Sequence, residues 1–572
     1  MKIFKLFPLA CAALMMSACG SDNDIEGGAT KPGSDPQYLA VNIVNVGATP
    51  TRAGEDYVNG TEEESKIKKV RFYFFNGDGS PYLIKNPGVT GVEGGGNKNW
   101  LEASPADDSS TSGTPSQVEK ITQTVLVING VQSAAPAAIV AVVNPETVDA
   151  AKIQSGESIR LSELRYSTVG SKFYEKDASG KVSDFVMSNS VYVNAGEDVC
   201  ASLVAGHVTT SEKDAKAKPV DLYVERVVAK VTADVDPNAF EKGNGTNWDA
   251  TKYGTKAAVG KSGDYDVYAV IDGWGLANEN GKAEVEKQVK KTWTDGNLGF
   301  SSPWTTSDYH RCFWETSVAF DPVAGGNQPI NPTFNQLKAN MQDVLYTLPN
   351  TPDSKITNLK DNDLTKFAVA ATLRYKDADN NWHDAEICRY NGVSILGIDN
   401  LKKQVALTFS QYYTSTDATN YTQLSTSDID FKDPDGTMQQ YRVTPTLAAD
   451  PTGKKEYYTK TPGTTSTFTK VDKSIVLAAI EADKAEIRKG GKAYYYVPIK
   501  HLGNTGEVAE YGIVRNHFYK ITLSGITGFG TPVYDPDKVV DPAVPTYDNT
   551  YLAARVQVLQ WRVVNQNANL GE

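Results

Sequence analysis

Asp221-Leu222-Tyr223-Val224-Glu225-Arg226-Val227-Val228-Ala229-Lys230-Val231-Thr232-Ala233-Asp234-Val235 sets the fold class of this chain. Leu222, Val224, Val227, Ala229, Val231, Ala233 and Val235 are apolar, and within each half of the run they stand at every second position. That is the period of a strand with one buried face. The phase slips once, near Arg226, and a single slip in an alternating run predicts a β-bulge.

Working outward, the same signature recurs. Tyr38-Leu39-Ala40-Val41-Asn42-Ile43-Val44-Asn45-Val46 predicts a strand with Leu39, Val41 and Ile43 on one face. Residues 67–75 end in Phe72-Tyr73-Phe74-Phe75 and run into Asn76-Gly77-Asp78-Gly79, a turn signal. Residues 125–128 and 139–143 are apolar without alternation, as in strands buried on both faces. Further strands are predicted at 265–271, 367–375, 385–390, 404–412, 493–499 and 511–526. Helices are predicted near 334–345 and 474–489, where Val476, Ala479, Ile480 and Ala485 fall roughly on one face. No segment repeats at a fixed period, which argues against a solenoid or propeller.

The N-terminus predicts export. Lys2 and Lys5 precede a 13-residue apolar run, residues 6–18, too short for the ~20 apolar residues of a membrane span. It closes on Met16-Ser17-Ala18-Cys19, the pattern of a lipobox, in which small residues precede a Cys that is acylated and becomes the new N-terminus. More than one acyl chain gives stable membrane anchoring. Residues 20–36, rich in Gly, Asp and Pro, read as a tether. After the first strand comes Gly47-Ala48-Thr49-Pro50-Thr51-Arg52-Ala53-Gly54-Glu55-Asp56, a small, polar loop of the kind proteases cut. At the other end, residues 531–549 hold Pro532, Pro536, Pro542 and Pro545. Such a spacer is extended, and at ~3.1 Å per residue it reaches on the order of 50 Å. A β-prone run, 551–564, follows it.

The composition fits a loop-rich, exported β protein. The chain has 572 residues, enough for two to four domains at ~100–200 residues each. It holds 47 Gly, 29 Tyr and 27 Pro. A net charge of −12 argues against general nucleic-acid binding, which needs a basic face. Five His residues leave little material for a metal centre, and Cys200, Cys312 and Cys388 form no C-x-x-C pair. They read as small buried residues, with at most one disulfide among them. G-x-S-x-G, H-E-x-x-H and the phosphate-binding G-x-x-x-x-G-K-[ST] are absent from the sequence. Asp377-Ala378-Asp379-Asn380-Asn381 imitates the start of a calcium loop, but Trp382 stands where Gly is needed and Cys388 where the bidentate Glu belongs. A hairpin turn is the better reading there and at Asp433-Pro434-Asp435-Gly436. His383-Asp384 and Tyr309-His310-Arg311-Cys312 are weak ligand or thiol candidates. No catalytic, cofactor or metal residue is nominated.

Several segments together resemble the major fimbrillins of lipoprotein-derived type V pili, most of all the short-fimbria major subunits. They are Cys19 in its lipobox, Thr51-Arg52-Ala53-Gly54, Val70-Arg71-Phe72-Tyr73-Phe74-Phe75-Asn76 and Phe185-Val186-Met187-Ser188-Asn189-Ser190. The others are Val224-Glu225-Arg226-Val227-Val228-Ala229-Lys230, Val514-Arg515-Asn516-His517-Phe518-Tyr519-Lys520-Ile521 and the closing Val556-Gln557-Val558-Leu559-Gln560-Trp561-Arg562-Val563.

The resemblance implies a mainly β fold of two tandem β-sandwich domains, transthyretin-like and Greek-key, with a few short helices. It implies a signal peptide at 1–18, a propeptide with a removable first strand at 19–52, sandwich domains at 53–276 and 277–530, and a Pro-rich spacer with a donor strand at 531–572. It further implies lipidation at Cys19, palmitate included, and cleavage by an arginine-specific protease after Arg52, freeing Ala53. The donor-strand residues would be Val556, Val558, Leu559, Trp561 and Val563. Implied partners are further copies of the chain, accessory tip and anchor subunits, the protease, host or bacterial surface receptors and, before cleavage, the outer membrane. Arg226, Lys230, Arg515, Asn516 and Tyr519 read as fold residues. Two other functions compete with a polymerising subunit: a surface-anchored carbohydrate-binding lipoprotein that does not polymerise, and, less well supported, an enzyme on a β scaffold.

Overall fold

The computed structural model describes residues 37–541 apart from internal gaps, chiefly 47–59, 86–91, 105–118, 290–313, 355–363 and 434–441, together with 551–560 and 564–565. The protein is mainly β, with few and short helices. Among the described residues its strands gather around three large hydrophobic cores, with a smaller cluster around Tyr494 and Val533.

The first core is built on a nine-stranded sheet. Its main path uses β1 (Gln37–Val46), β2 (Val70–Phe75), β3 (Val92–Gly94), β4 (Trp100–Ala103), β5 (Glu119–Ile128), β6 (Ala138–Val143), β7 (Met187–Asn189) and β8 (Val220–Arg226). The spatial order is β3-β4-β2-β6-β7-β8-β1-β5. Val70, Phe72, Tyr73, Phe74 and Phe75 of β2 are all fully buried, so this sheet is covered on both faces. The unbroken apolar runs of β2 and β6 are the sequence form of that double cover.

The second core lies between two sheets. Its strands are β9 (Ala229–Val235), β10 (Tyr265–Ala277), β11 (Val344–Thr347), β12 (Lys366–Lys376), then, beyond a third set of elements, β18 (Lys492–Pro498), β19 (His517–Thr527), β20 (Thr531–Pro532), β21 (Tyr551–Gln560) and β22 (Val564–Asn565). One sheet runs β11-β9-β19-β21-β22, and the other carries the path β10-β12-β18-β20. Val231, Ala233, Tyr519, Ile521 and Leu523 from the first meet Val267, Ala269, Val369, Ala371 and Tyr495 from the second. Two sheets pressed face to face make a β-sandwich.

The third core belongs to β13 (Ile387–Tyr390), β14 (Val393–Leu396), α1 (Ile398–Thr408), β15 (Ile429–Lys432), β16 (Arg442–Leu447), α2 (Lys473–Ala482) and β17 (Ala485–Ile487). A five-stranded sheet runs β14-β13-β17-β16-β15. Leu401, Val405, Val476 and Ile480 of the two helices pack on Cys388, Tyr390, Val443 and Ile487.

Some local expectations are corrected. The slip at Arg226 is no bulge: β8 ends there in one sheet and β9 starts at Ala229 in another. Buried residues belong to the first core up to Val228 and to the second from Ala229, with Ala283, Val285 and Leu348 returning to the first. Residues 404–408 are helical, the end of α1, with Leu401, Val405 and Ala406 buried at helical spacing. The predicted helix near 334–345 shrinks to a 3-10 turn, Phe334–Gln336, followed by β11. Asn340 and Asp343 close a turn in between, the Asn340 N–H donating to the Asp343 carboxylate at 2.6 Å. Residues 485–487 leave the second predicted helix for β17. The first half of the Pro-rich spacer lies on the body: β20 pairs with β18, Val533 and Val540 are buried beside Tyr494, and the Tyr494 hydroxyl donates to the Asp541 carbonyl at 2.7 Å.

Candidate strand-exchange site

β1 is an inner strand. Ten residues pair antiparallel with β5, from Gln37 opposite Ile128 to Val46 opposite Glu119. On its other edge five pair parallel with β8, from Val41 opposite Val220 to Asn45 opposite Val224. Leu39, Ala40 and Val41 are fully buried. Burying a Leu or Val side chain contributes about 1.5–3 kcal/mol. The start of β1 is pinned by Tyr38 and Thr209, whose backbones exchange hydrogen bonds of 2.7 and 2.9 Å. Losing β1 would open a trench between β5 and β8, lined by ladder donors and acceptors and floored by apolar side chains.

Arg52 and Ala53 lie outside the described residues, as does Cys19. The chain is described again at Gly60, and within five residues it is fastened firmly. Glu64, 1% exposed, accepts from the Thr61 backbone at 2.8 Å and pairs with Lys230 at 2.6 Å. It also accepts from the Tyr346 hydroxyl. The Arg226 guanidinium donates to the Glu64 carbonyl at 2.7 Å and to the Ser65 hydroxyl at 3.0 Å. Burial pushes the Glu64 carboxyl up, but Lys230, Tyr346 and Arg226 together hold it below the usual carboxylate range. Burial lowers the Arg226 guanidinium to about 10. In the sequence, Arg52 thus stands between an inner strand and an ionic anchor that belongs to the rest of the chain.

The anchor continues into a buried polar seam between the first and second cores. Arg515 donates to Glu315 from its backbone N–H at 2.8 Å and from Nε at 2.7 Å, with both side chains fully buried. Its other nitrogens reach the Val285 and Glu284 carbonyls at 3.1 and 2.9 Å. Lys287 donates to Glu225 at 2.9 Å, also out of contact with water. Asn516, at φ 56°, donates its N–H to the Val228 carbonyl at 2.7 Å. The Tyr519 hydroxyl accepts from the Val514 N–H at 2.9 Å and meets His501 Nδ1 at 2.9 Å. Arg226, Lys230, Arg515, Asn516 and Tyr519 thus stand in one inter-core seam. Their carboxylate and tyrosine partners Glu64, Glu315 and Tyr346, and Lys287 beside them, carried no signal in the sequence, being isolated residues in unpatterned stretches.

The terminal strand lies in its own molecule's sheet. β21 pairs antiparallel with β19 from His517 opposite Gln560 to Thr527 opposite Tyr551. Val556 stands opposite Ile521, Val558 opposite Tyr519 and Leu559 opposite Phe518. Among the described residues, the two-residue β22 is added beyond β21. Trp561 and Val563 lie outside the described residues.

The other nominated residues fall elsewhere. Asp377 is a turn residue whose carboxylate accepts from the Asp379 and Asn381 N–H groups at 2.9 and 2.8 Å and meets His383 at 2.7 Å. Cys200 and Cys388 are buried, and burial raises the Cys388 thiol. His310 and Cys312 lie outside the described residues. Among the described residues no helix is long and apolar enough to cross a membrane.

Residues 488–567, which contain β19 and β21, match the family model described as major fimbrial subunit protein type IV, Fimbrillin, C-terminal. No curated protein matches the chain. A fimbrilin from Porphyromonas gingivalis W83 is 12% identical over 92% of this chain and 99% of that one, at a TM-score of 0.37. A candidate cell adhesion protein from Parabacteroides distasonis ATCC 8503 is 13% identical over 93% and 98%, at 0.36. A C-terminally truncated tip fimbrial protein from Porphyromonas gingivalis is 9% identical over 92% and 100%, at 0.30. Similarities this low set neither family nor function for the whole chain.

Proposed function

We propose that this chain, whose C-terminal region is fimbrillin-like, is the stalk subunit of a bacterial surface fimbria, made as a lipoprotein and polymerised by strand exchange. The observation that carries this reading is the position of β1, an inner strand that precedes Arg52 in the sequence by six residues. In the proposal Cys19 is lipidated and carries the precursor to the outer membrane, and an arginine-specific protease cuts between Arg52 and Ala53. Residues up to 52 then leave with the lipid, and the Glu64 anchor keeps the new N-terminus on the body.

The emptied place between β5 and β8 is costly until something refills it, because its backbone groups are unpaired and its floor is apolar. A strand from another copy restores both, a case of β-augmentation. The supplier is β21, with Val556, Val558, Leu559, Trp561 and Val563 as the residues that enter. In the intact chain β21 sits near a sheet edge, and to leave it gives up its ladder with β19. The joint then links two different surfaces, and a joint of that kind repeats without closing, giving a filament. Residues 1–52 hold four basic and four acidic side chains, so trimming leaves the charge at −12 and the subunits mutually repelling away from the joint. Tip and anchor subunits would cap the two ends, and adhesion to host or bacterial surfaces would be the filament's task.

The pairing of β21 with β19 favours a second reading, a lipid-anchored monomer that binds carbohydrate and never exchanges strands. One experiment separates the two. Purified precursor is treated with an arginine-specific protease and run in SDS without boiling. A ladder that forms with wild type and not with Arg52→Ala supports the first reading. Monomers from both, or ladders from both, defeat it.

A further inference from the structure

A second sheet covers the third core. Thr422–Gln423, Tyr412–Ser415, Glu456–Lys460 and Phe468–Val471 pair antiparallel, in that spatial order. Leu424 and Tyr457 enter the third core, and Tyr412 and Val471 pack on it. Residues between them take the opposite face, since side chains alternate along a strand. The register sets Gln423 opposite Tyr413, Tyr413 opposite Tyr458 and Tyr458 opposite Lys470, with Phe468 opposite Lys460. The outer face of an antiparallel sheet is ordinarily polar, and here it is aromatic.

Four rings stand on that face in contact. Tyr421 lies face to face on Phe468, with centroids 4.2 Å apart and planes 14° from parallel. Tyr413 meets Phe468 edge-on at 4.9 Å, and Tyr458 meets Tyr421 edge-on at 4.9 Å. Tyr413, Tyr421 and Phe468 are part-exposed, and Tyr458 is buried beneath them. A contiguous aromatic patch open to solvent marks an interaction site. The loop that carries Tyr421 is fixed at several points. The Asp417 carboxylate accepts from the Thr419 and Asn420 N–H groups, both at 2.8 Å, and from the Asn420 side chain at 2.7 Å. The Tyr421 hydroxyl donates to the Ala418 carbonyl at 2.6 Å. Ala418 takes φ 56°, a left-handed backbone uncommon for a residue with a Cβ. Strain of that kind persists only where its surroundings impose it, and it gathers at ligand clamps.

The rim of the patch chooses among partners. The Tyr413 hydroxyl accepts from Gln423 Nε2 at 3.4 Å and keeps its own proton to donate. Glu456 accepts from the Tyr458 hydroxyl at 2.8 Å and pairs with Lys470. Lys460 is exposed at the same edge. The rim therefore offers donors and acceptors, and charges of both signs, around an apolar floor. A nucleic acid would meet Glu456 and Asp417 on a chain of net charge −12. An apolar helix would strip water from the Glu456–Lys470 pair and replace none of it. A pyranose with equatorial hydroxyls suits both parts. The C–H groups of its flat faces rest on the rings, and its edge hydroxyls donate to Glu456 and accept from Tyr413 and Lys460. We propose that this face binds a neutral β-linked glycan, stacked on Tyr413, Tyr421 and Phe468. The site serves a filament and a lipid-anchored monomer alike, so its failure would leave strand exchange untouched.

The test is calorimetric titration of the full chain with cellotetraose, N-acetylchitotetraose, a thymidine decanucleotide and decaproline. One sugar or both should bind, roughly tenfold or more tighter than the nucleotide and the peptide. Tyr413→Ala and Tyr421→Ala should each weaken the sugar roughly tenfold, whereas Tyr421→Phe, which keeps the ring, should bind as wild type does. A chemical readout on the unmutated chain guards against misfolded variants. Tetranitromethane should nitrate Tyr413 and also Tyr166, 64% exposed and outside this sheet, and bound sugar should protect Tyr413 alone. Neither sugar binding, the nucleotide or decaproline binding tighter than both sugars, full affinity in the folded Ala variants, or Tyr413 nitrated equally with sugar present would overturn the assignment.

Discussion

Arg226 and Asn516 meet across 290 residues of chain, the guanidinium donating to the side-chain oxygen at 3.2 Å. The contact joins the end of β8 to the turn before β19, and so the first core to the second. Asn516 takes a left-handed backbone that Asn tolerates better than most residues, and its own N–H is held by Val228. Arg226→Met removes this bond and those to Glu64 and Ser65, leaving buried acceptors without donors. We expect a loss of about 3 kcal/mol in denaturant unfolding. In a double-mutant cycle with Asn516→Leu the coupling should be about 1 kcal/mol. Strict additivity would show that the contact does not couple the cores.

The sequence made the seam half legible. Arg226 ends a strand whose alternation is plain and Arg515 stands in the turn just before another, β19, so the strand assignments located both. Alternation says which face a residue takes but not which distant residue it meets, so Glu315 and Lys287 were invisible beforehand. The same limit explains the slip at Arg226. A bulge and a passage from one sheet to the next leave the same one-residue mark in a hydrophobic pattern. α1 was missed for another reason: its apolar residues at 401, 405 and 406 begin before the window that read as a strand. The strands β1, β2, β6 and β19 were legible because each combines β-branched or aromatic residues with a clear period.

Leu39 tests whether β1 is discarded. Its side chain is fully buried in the first core, so Leu39→Asp should lower precursor stability by about 3 kcal/mol or more. If residues up to 52 leave before assembly, fibres grown from this variant should resist SDS and heat as wild-type fibres do. Leu222→Asp, in the neighbouring strand that stays, should weaken precursor and fibre alike. Fibres weakened equally by both substitutions would place β1 in the finished polymer.

Deleting residues 551–572 separates folding from assembly. β21 borders β19 on one side only, and Tyr519, Ile521 and Leu523 of β19 remain covered by the facing sheet. The truncated precursor should therefore fold, with a cooperative thermal transition, yet stay monomeric after protease treatment. Mixed with wild type it should end chains, because it accepts a strand and offers none, and fibre length by electron microscopy should fall as its share rises. Continued growth of the truncated protein alone would remove β21 as the donor.

Glu279 gives a pH signature. Burial raises its carboxyl to about 7, against a hydrogen bond from Thr347 that pulls it down. A carboxyl raised on folding binds its proton more tightly in the native state. Its contribution is present in full below an unfolded value of about 4.5 and is lost as pH climbs toward 7. Glu279→Gln keeps the neutral shape and removes the titration. The variant should match wild type near pH 4 and exceed it by on the order of 2 kcal/mol above pH 7. Burial also raises Glu225, Glu284 and Glu286, so both curves fall across this window, and only the difference between them reports Glu279. Two curves that run parallel from pH 4 to 8 would show that the carboxyl titrates as it does in water.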